Sequence, residues 1–514
     1  MNRTEQIASA FHDTYDICII GGGITGAGIL YQAVKQGFKA ILVERNDFAS
    51  GTSSRSSKMI HGGLRYLKNL QFGLVKEALT EREHLLNLYP HLVKPIEYII
   101  PSYGSFFDKV SKQIGLSMYD KLAGDTSLPL HKTLSTQDVI KQVPGIDTKK
   151  LSGGISYWDA HTNDARLVLQ VISECQLLGA TALNYSEVVQ INTSDHAVSH
   201  LTCKDKISQT EFEIRADVYI SAAGVWTDAV SQLLDTQAPP VMEPSKGVHI
   251  VIPTSRMYPD KVVLIEASSG DGRFIYNLPW ENGLTILGTT DTDYQGNPDD
   301  IHADKSDIDY LLKSFNKSFP GLKLSEQDIT SVYFGLRPML SDRHGTDSTS
   351  RSREYKIWWN TPNMLSIAGG KLTSFLSMGE HCVEVAKKIL PSPTKQGKDL
   401  PSHTSENWDK TYGQLGYLVA QIEQEDPSNR EVISTHYRYT VAEIKFFIRH
   451  QFAQTLSDIL TRRTSITYGM KTFEQALSTR VAQILADELH KPEGWIELEI
   501  SNYQKDWELY HSIF

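Results

Sequence analysis

The stretch of sequence that decides the fold is YDICIIGGGITGAGILYQAVKQGFKAILVE, residues 15–44, in which a glycine-rich turn separates two apolar segments. Residues 15–20 are apolar and rich in β-branched side chains, which predicts a buried parallel strand. The spacing of apolar residues predicts a helix from Ile24 to Gln36 that ends at a glycine. Residues 40–43 predict a second strand, and Glu44 stands at its end. This order of elements predicts a βαβ unit that binds a dinucleotide.

Three glycines of the turn each have a structural role in such a unit. Gly21 allows the tight turn, Gly23 lets the backbone approach a pyrophosphate, and Gly26 lets helix and strand pack closely. The first turn of the helix, which includes Thr25, offers unpaired N–H groups and a partial positive charge to the phosphates. At the end of the second strand, the carboxylate of Glu44 can accept hydrogen bonds from the ribose hydroxyls.

A second strand-to-helix glycine turn, AGGKLT at residues 368–373, predicts that the dinucleotide is FAD rather than NAD. A helix N-terminus at this turn would face the flavin ring and stabilise its anionic reduced form. Gly370, Leu372 and Thr373 are therefore predicted to contact the cofactor. The small residues that lead to Gly224 follow another buried strand and permit a close approach of the backbone, so Gly224 joins the predicted cofactor site.

A serine-rich segment follows the second strand. The hydroxyls of Ser53, Ser54 and Ser57 can hydrogen-bond to phosphate or ring atoms of the cofactor. The alternative interpretation of the same composition is a solvated loop. His61, a few residues further on, could attach a flavin covalently, but nothing in the sequence requires such a bond. Non-covalent binding of FAD is predicted.

Composition limits the class of protein. The chain has 514 residues, 40% of them hydrophobic, and a formal net charge of −10, which gives no electrostatic support to nucleic-acid binding. Its four cysteines lie far apart, so neither a metal site nor a disulfide framework is predicted, and a reducing compartment is favoured. The N-terminal residues lack the apolar stretch of a signal peptide, and no apolar run is long enough to span a bilayer. The sequence predicts a cytoplasmic protein and leaves attachment to a membrane surface open.

The order of patterns predicts an α/β fold with three parts. These are an FAD-binding Rossmann-like domain assembled from separated segments, an interleaved β-rich substrate domain, and a helical C-terminal domain. The predicted ranges are 15–100, 151–244 and 335–390 for the FAD-binding domain, 101–150 and 245–334 for the substrate-binding domain, 391–408 for a linker, and 409–514 for the helical domain. The linker is recognised by its content of Pro, Ser and Thr.

Several predictions concern single elements. Two separate strands are predicted at 210–215 and 217–220, and irregular structure is predicted from about 102 to 146. A helix is predicted to open directly at Gly370. In the tail, a helix is predicted from Val441 to Leu460, with one apolar face packed on the rest of its domain.

Eight stretches of the chain are distinctive: GGGITGAG (21–28), TSSRSSKMIHGGLRYL (52–67), TSLPL (126–130), DARLVL (164–169), KGVHIVIP (246–253), LGTTDTDY (287–294), GLRPML (335–340) and GGKLTS (369–374). Through these stretches the chain resembles a known family, the FAD-dependent glycerol-3-phosphate dehydrogenases, within the D-amino-acid-oxidase-like group of flavoproteins. SSKMIHGGLRYL followed by LGTTDTDY is far more specific than the glycine turn. Val225 departs from the family, because relatives often have proline at that position.

The resemblance implies oxidation of sn-glycerol 3-phosphate at C2 to dihydroxyacetone phosphate, with hydride passing to FAD and electrons to a quinone. Such a reaction needs cations for the phosphate, and an arginine fork donates two parallel hydrogen bonds to it. Arg337 and Lys371 are the predicted cations at the reacting centre. Substrate-binding roles for three further residues, and a contact of Val188 with adenine, are implied by the resemblance. The three substrate-binding residues are Arg65, Tyr66 and Arg353.

His249 is the most economical base for the C2 hydroxyl, because its unperturbed pKa is near 6.5. Strand alternation places His249 on the same face as Val251. Two alternatives to this role stay open. In the first, His249 is a hydrogen-bonded core residue. In the second, the cationic pocket lowers the pKa of the substrate hydroxyl and water takes the proton.

The resemblance also implies partners: glycerol 3-phosphate, a membrane quinone, a peripheral position on the cytoplasmic face of the membrane, and a homodimer as one option. The nearest alternative function is an oxidase that passes electrons from the same substrate to oxygen; the lack of an obvious long insertion before the tail favours the dehydrogenase. An amino-acid or amine oxidase would bind a carboxylate, whereas several cations suit a dianionic phosphate better. A flavoprotein that binds nucleic acid is disfavoured by the net charge and by the lack of a basic stripe.

Overall fold

The computed structural model describes residues 3–64, 71–104, 106–257, 260–270, 273–341, 354–393, 397–400, 403, 405 and 407–512. Within this part of the chain, two mixed β-sheets are flanked by helices and followed by a helical C-terminal region. No helix in the described ranges is long and apolar enough to cross a membrane.

The strands, in chain order, are β1 (Thr14–Ile20), β2 (Ala40–Val43), β3 (Met59–Ile60), β4 (Lys94–Ser102), β5 (Lys132–Leu134), β6 (Gly153–His161), β7 (Thr181–Leu183), β8 (Ser186–Ser194), β9 (Ala197–Asp205), β10 (Glu211–Ser221), β11 (Ser245–Pro253), β12 (Val262–Glu266), β13 (Phe274–Trp280), β14 (Leu284–Gly288), β15 (Thr292–Asp293), β16 (Ser331–Arg337), β17 (Tyr355–Thr361) and β18 (Met364–Gly369). The α-helices are α1 (Arg3–His12), α2 (Ile24–Lys35), α3 (Phe72–Leu88), α4 (Phe106–Ala123), α5 (Thr136–Gln142), α6 (Asp164–Leu177), α7 (Thr227–Leu234), α8 (Lys305–Ser318), α9 (Phe375–Ala386), α10 (Asp409–Tyr412), α11 (Gly416–Glu425), α12 (Val441–His450), α13 (Ile466–Gly469), α14 (Gln475–Glu488) and α15 (Trp495–His511).

The first sheet carries the glycine turn. Its strand order is β17-β18-β10-β1-β2-β7, and β1 runs parallel to both β10 and β2. Ile17 and Ile19 of β1 are fully buried and share one hydrophobic core with α2 and α6. The βαβ unit predicted from residues 15–44 is confirmed, because β1, α2 and β2 follow one another as the pattern requires.

The prediction of two strands at 210–215 and 217–220 was wrong, because these residues form the single strand β10. Residues 211–214 pair antiparallel with β9, whereas residues 215–221 pair parallel with β1. The exposed Arg215 and Asp217 lie where the strand leaves the solvated β8–β9 ribbon and enters the buried centre of the sheet. That change of surroundings interrupts the apolar pattern while the backbone stays extended.

The second sheet forms the β-rich part and supplies one wall of the site. Its strand order is β15-β11-β14-β13-β12-β4-β6-β3, with β16 beside β11 and β5 beside β6. β11 is buried from Ser245 to Ile252. Val251 packs with the aromatic core on one side of this sheet, and His249 contacts the same aromatic side chains, as alternation predicted. Strands β3 and β6, and β4 as far as residue 100, come from ranges that the sequence assigned to the FAD-binding domain.

Two helices differ from their sequence predictions. Residues 102–146 are not irregular, because they contain the 18-residue helix α4 as well as β5 and α5. Apolar side chains lie on both the buried and the exposed side of α4, so its sequence lacks a clear amphipathic period. The helix after the second glycine turn begins at Phe375 rather than at Gly370, because the intervening residues form a turn.

The C-terminal region is helical, as predicted, and has its own hydrophobic core. The predicted helix Val441–Leu460 is broken, however. α12 ends at His450, Phe452 has a φ of +61°, and a π-helical turn runs from Asp458 to Arg463. The Asp458 carboxylate accepts hydrogen bonds from the backbone N–H groups of residues 454 and 455, which starts this new element.

Candidate active site

The glycine turn after β1 brings three chain segments together. Gly21 has a φ of +112°, and a Cβ atom there would lie 2.6 Å from the carbonyl oxygen of Ala222. A Cβ atom at Gly26 would overlap the carbonyl oxygen of Gly21. A Cβ atom at Gly23 would lie 3.1 Å from the hydroxyl oxygen of Ser53. The turn therefore presents bare backbone at the N-terminus of α2, as a bound phosphate requires.

Glu44 and Ser53 fix the shape of this turn. The Glu44 carboxylate accepts hydrogen bonds from the backbone N–H groups of Gly22 (2.7 Å) and Asn46 (2.9 Å). Ser53 Oγ accepts a hydrogen bond from Ile24 N at 2.9 Å and so satisfies one of the unpaired donors of α2. This structural role of Glu44 was not predicted from the sequence. The carboxylate has further lone pairs, which can accept the predicted hydrogen bonds from the ribose.

The serine segment is built around a buried ion pair. Lys58 Nζ lies 2.6 Å from Asp164, and the two side chains are 2% and 0% exposed. Lys58 Nζ also donates to the carbonyl oxygen of Ser54 (2.8 Å), and Ser56 donates to Asp164 through both its N–H and its hydroxyl. The solvated-loop alternative was therefore wrong. Sequence reasoning missed the ion pair, although both residues stand in stretches that carry the family resemblance.

The second glycine turn holds the chain that follows the serine segment. Gly369 and Gly370 have φ values of +88° and +87°. Thr373 Oγ1 accepts a hydrogen bond from the backbone N–H of His61 at 3.2 Å. Leu372 packs against the core of the first sheet. The turn predicted to face the flavin thus lies next to the residues that follow the first phosphate-binding turn.

One cavity joins these segments with the second sheet. Its walls come from the serine segment, β11, the end of β16 and the second glycine turn. The residues on its wall that the sequence singled out are Ser57, His61, His249, Arg337, Gly370, Lys371, Leu372 and Thr373. Arg65, Tyr66 and Arg353 lie outside the described residues. The structure therefore brings together the predicted base, two predicted cations and the predicted flavin turn.

The carboxyl ends of β1 and β10 form a cradle that fits a dinucleotide. The Ser221 hydroxyl at the end of β10 is fully buried and has no hydrogen-bond partner among the described residues. Gly224 follows with a φ of +57° and with open space where a Cβ atom would stand. Val188 is half-buried on β8, opposite Cys203. The unpartnered hydroxyl and the bare backbone at Gly23 fit FAD at the place that the glycines predicted.

Arg337 enters the cavity from the end of β16 with its side chain 17% exposed. Its guanidinium donates to Asp291 Oδ1 and to the carbonyl oxygen of Thr290, both at 3.1 Å. The group lies on Gly247, where a Cβ atom would fall 2.6 Å from a guanidinium nitrogen. Sequence reasoning missed Asp291 as the partner of Arg337, although Asp291 stands in the LGTTDTDY stretch.

His249 is buried and lies between two tyrosines. Its ring stacks on Tyr333 with the centroids 4.6 Å apart, and its Nε2 lies 3.0 Å from the hydroxyl of Tyr276. Burial, and then the positive charges of Arg337 and Lys58, hold the pKa of His249 well below its ordinary value. The imidazole is therefore neutral at neutral pH and able to accept a proton. Neither tyrosine was identified from the sequence.

The hydrogen bonds of Tyr276 determine the tautomer of His249. The Tyr276 hydroxyl has one proton, and it lies 3.3 Å from the carbonyl oxygen of Ser57, which can only accept. When that proton goes to Ser57, Nε2 of His249 must donate to Tyr276, and Nδ1 carries the lone pair. Nδ1 is buried and has no hydrogen-bond partner among the described residues. In this tautomer His249 is a base with a vacant acceptor.

Two family profiles match the chain, in agreement with this geometry. The FAD-dependent oxidoreductase family matches residues 16–378, which include both glycine turns and the cavity. The C-terminal domain of alpha-glycerophosphate oxidase matches residues 364–494, which include most of the helical region.

Individual relatives agree with the profiles. The chain is 35% identical over 527 residues to mitochondrial glycerol-3-phosphate dehydrogenase of Mus musculus, covering 94% of this chain and 71% of the relative. It is 34% identical over 525 residues to glycerol-3-phosphate dehydrogenase of Mycobacterium leprae, covering 96% of this chain and 88% of the relative. The structure matches that of glycerol-3-phosphate dehydrogenase from Bacillus halodurans complexed with FAD, with a TM-score of 0.79 and 25% identity, over 99% of this chain and 97% of the other. This chain therefore belongs to the family of FAD-dependent glycerol-3-phosphate dehydrogenases.

Proposed function

We propose that this protein oxidises sn-glycerol 3-phosphate at C2 to dihydroxyacetone phosphate. The observation that carries the proposal is the cavity in which Arg337, Lys371 and the neutral His249 meet beside the second glycine turn. Two cations suit a phosphate dianion, and a neutral imidazole suits the proton of an alcohol. The names of the relatives and the FAD in the matching structure support the same reaction.

The phosphate is the part of the substrate that the cations hold. Asp291 and Thr290 orient the guanidinium of Arg337, so its fork is preorganised and loses little side-chain freedom when it binds. Lys371, at the glycine turn, supplies a second positive charge on the cavity wall. We infer that Arg65, Tyr66 and Arg353, which the family resemblance implies, complete the substrate contacts.

Proton removal falls to His249 in this proposal. Its Nδ1 accepts the proton of the C2 hydroxyl, while Nε2 keeps its hydrogen bond to Tyr276. FAD, when bound, supplies the acceptor for the hydride from C2. The phosphate dianion offsets the positive charge of Arg337, which favours the protonated imidazole during the reaction. The resting ring is thus kept neutral, and the bound substrate makes it a better base.

We further propose a membrane quinone as the electron acceptor and a peripheral position on the cytoplasmic face of the membrane. The support is α4, on which Ile114 and Met118 are 56% and 38% exposed. The same helix carries Tyr119, whose hydroxyl accepts a hydrogen bond from Gly62 N at 2.8 Å, next to the cavity residue His61. An apolar helix face this close to the cavity would bring a lipid-dissolved acceptor near the flavin.

Flavin absorbance tests the proposed substrate. Under anaerobic conditions, glycerol 3-phosphate should bleach the flavin band of the purified protein, whereas glycerol and D-alanine should not. Glycerol isolates the role of the phosphate, because it keeps the secondary alcohol and lacks the anion. Bleaching by D-alanine but not by glycerol 3-phosphate would refute the proposal and favour an amino-acid oxidase.

Reoxidation of the reduced protein tests the acceptor. A soluble quinone analogue should reoxidise the flavin faster than air-saturated buffer does; a faster reaction with oxygen would instead indicate an oxidase.

A flotation assay with lipid vesicles tests the membrane face. The double variant Ile114→Glu, Met118→Glu should lose binding to the vesicles. Leu498→Glu is the matched control, because Leu498 is 59% exposed on α15, a different helix. Equal binding by the double variant and the wild type would exclude α4 as the membrane face. A homodimer is a separate prediction, tested by the mass in solution.

A further inference from the structure

The residues that connect β2 to the serine segment form a short connection over the phosphate-binding turn, which we call the strap (residues 44–49). Both ends of the strap are bonded to Gly22. The Glu44 carboxylate accepts a hydrogen bond from Gly22 N, and Ala49 N donates to the carbonyl oxygen of Gly22 at 3.0 Å. The position of the strap therefore determines the position of the turn that receives the pyrophosphate.

The helical C-terminal domain holds the middle of the strap through buried charges. Asp47 is 1% exposed and accepts hydrogen bonds from both terminal nitrogens of Arg463, which is itself 0% exposed. Arg462 Nε donates to Asp47 at 2.5 Å. Burial alone would raise the pKa of Asp47, but the two guanidinium groups hold it below its ordinary value, so the carboxylate stays ionised.

A second contact from the same part of the domain is aromatic. The rings of Phe48 and Phe452 pack edge to face, with centroids 5.1 Å apart. Phe48 also lies against Gly22, where a Cβ atom would overlap the ring. A continuous series of contacts therefore leads from Phe452 through Phe48 to the phosphate-binding turn.

We propose that residues 452–463 of the helical domain act as a clamp that fixes the strap against Gly22 and thereby sets the affinity of the protein for FAD. Packing two domains together does not require a buried cluster of charges, since apolar residues of similar volume often do so at least as well. Directional charges instead hold one register between the surfaces. The clamp also contains a π-helical turn, a geometry that occurs frequently at functional sites. These residues are positioning residues, because they reach the cofactor site only through the strap.

The test measures binding of FAD to the full-length apoprotein by quenching of flavin fluorescence, well below the unfolding temperature. Arg463→Met removes one guanidinium and leaves Arg462 to share its charge between Asp47 and Asp458, each at 2.5 Å. This variant should raise the dissociation constant for FAD about tenfold, within the roughly 5- to 150-fold range typical of coupled sites. Arg463→Lys keeps the charge, and its dissociation constant for FAD should lie between those of Arg463→Met and the wild type. Phe452→Leu tests the aromatic contact independently and serves if Arg463→Met does not fold.

The matched control is Tyr412→Phe, which removes a buried hydrogen bond inside the same helical domain, from Tyr412 to Glu443 at 2.6 Å. This variant should lose stability and keep its affinity for FAD within about twofold. Unchanged binding of FAD in both Arg463→Met and Phe452→Leu would overturn the proposal. Equal weakening in Tyr412→Phe would also overturn it, because the effect would then reflect general destabilisation.

Hydrogen exchange gives a second readout that involves no variant. Because coupling between sites is reciprocal, removal of FAD should speed amide exchange at residues 452–463. Exchange in α14 of the same domain should change much less. Identical exchange of the clamp with and without FAD would contradict the proposal. These measurements need no substrate, so their outcome is independent of the function proposed above.

Discussion

Replacement of Arg337 by alanine tests the proposed active site most directly. The guanidinium is held by Asp291 and Thr290 at 3.1 Å and lies on Gly247, so it is oriented before any ligand arrives. The substitution removes the phosphate fork and also leaves the Asp291 carboxylate, which lies behind Arg337, without this partner. Both consequences act against a dianionic substrate.

The size of the effect follows from the number of hydrogen bonds lost. A hydrogen bond to a charged group contributes about 1.5–3 kcal/mol, so a two-pronged contact with phosphate contributes about 3–6 kcal/mol. At about 1.4 kcal/mol per factor of ten, kcat/KM for glycerol 3-phosphate should fall roughly 10²- to 10⁴-fold. The double variant Arg337→Ala, Asp291→Ala should recover part of this loss, because it also removes the carboxylate that repels the phosphate.

The assay is the rate of anaerobic flavin reduction over a range of glycerol 3-phosphate concentrations, with the flavin content measured in each sample. Arg256→Ala is the matched control, because Arg256 also forms an ion pair, to Asp328 at 2.7 Å, but outside the cavity. It should keep kcat/KM within about twofold of the wild type. A value for Arg337→Ala within threefold of the wild type, with FAD fully bound, would refute the role given to Arg337.

Three further predictions concern the base, a buried acid and a helix crossing. His249→Gln should slow flavin reduction about 10²- to 10⁴-fold at saturating substrate, whereas an unchanged rate would assign proton removal to water. Burial raises the pKa of Glu174 from 4.5 to about 7, so the folded protein holds a proton there that the unfolded chain releases, and this residue lowers stability as the pH rises from about 4.5 to 7. Glu174→Gln should therefore stabilise the protein by up to about 3 kcal/mol at pH 8 and by almost nothing at pH 4.5, measured by urea unfolding; equal effects at both pH values would contradict this. Gly379→Ala places a methyl group against the backbone of Gly28, where α9 crosses α2. The free energy of unfolding should fall by about 1–3 kcal/mol, measured by the release of flavin as the protein unfolds.

Local sequence determined the parts of this fold that form from consecutive residues. The βαβ unit could be predicted because Gly21, Gly23 and Gly26 each satisfy a local backbone requirement, and Glu44 ends the next strand. α4 could not be predicted, because apolar side chains on two of its sides remove the periodic spacing of apolar residues that identifies a surface helix. The single strand β10 was missed because its two halves have different neighbours, which the sequence of one strand does not reveal.

The candidate site shows the same limit. His249, Arg337 and Lys371 were identified because each belongs to a distinctive motif, and they line one cavity. Their partners were missed, because pairing depends on which strands become neighbours. Asp291 pairs with Arg337 because β11 lies between β14 and β16. The same arrangement of strands brings Tyr333 against His249.

The contact between Asp47 and Arg463 joins residues 416 positions apart, so it has a consequence for how the protein is made. The phosphate-binding turn leaves the ribosome several hundred residues before the clamp, residues 452–463. A nascent chain that has not yet reached the clamp therefore has a cofactor site without these contacts, and FAD is held firmly only after the clamp has been made and docked. Retention of the yellow cofactor thus reports that the clamp is in place.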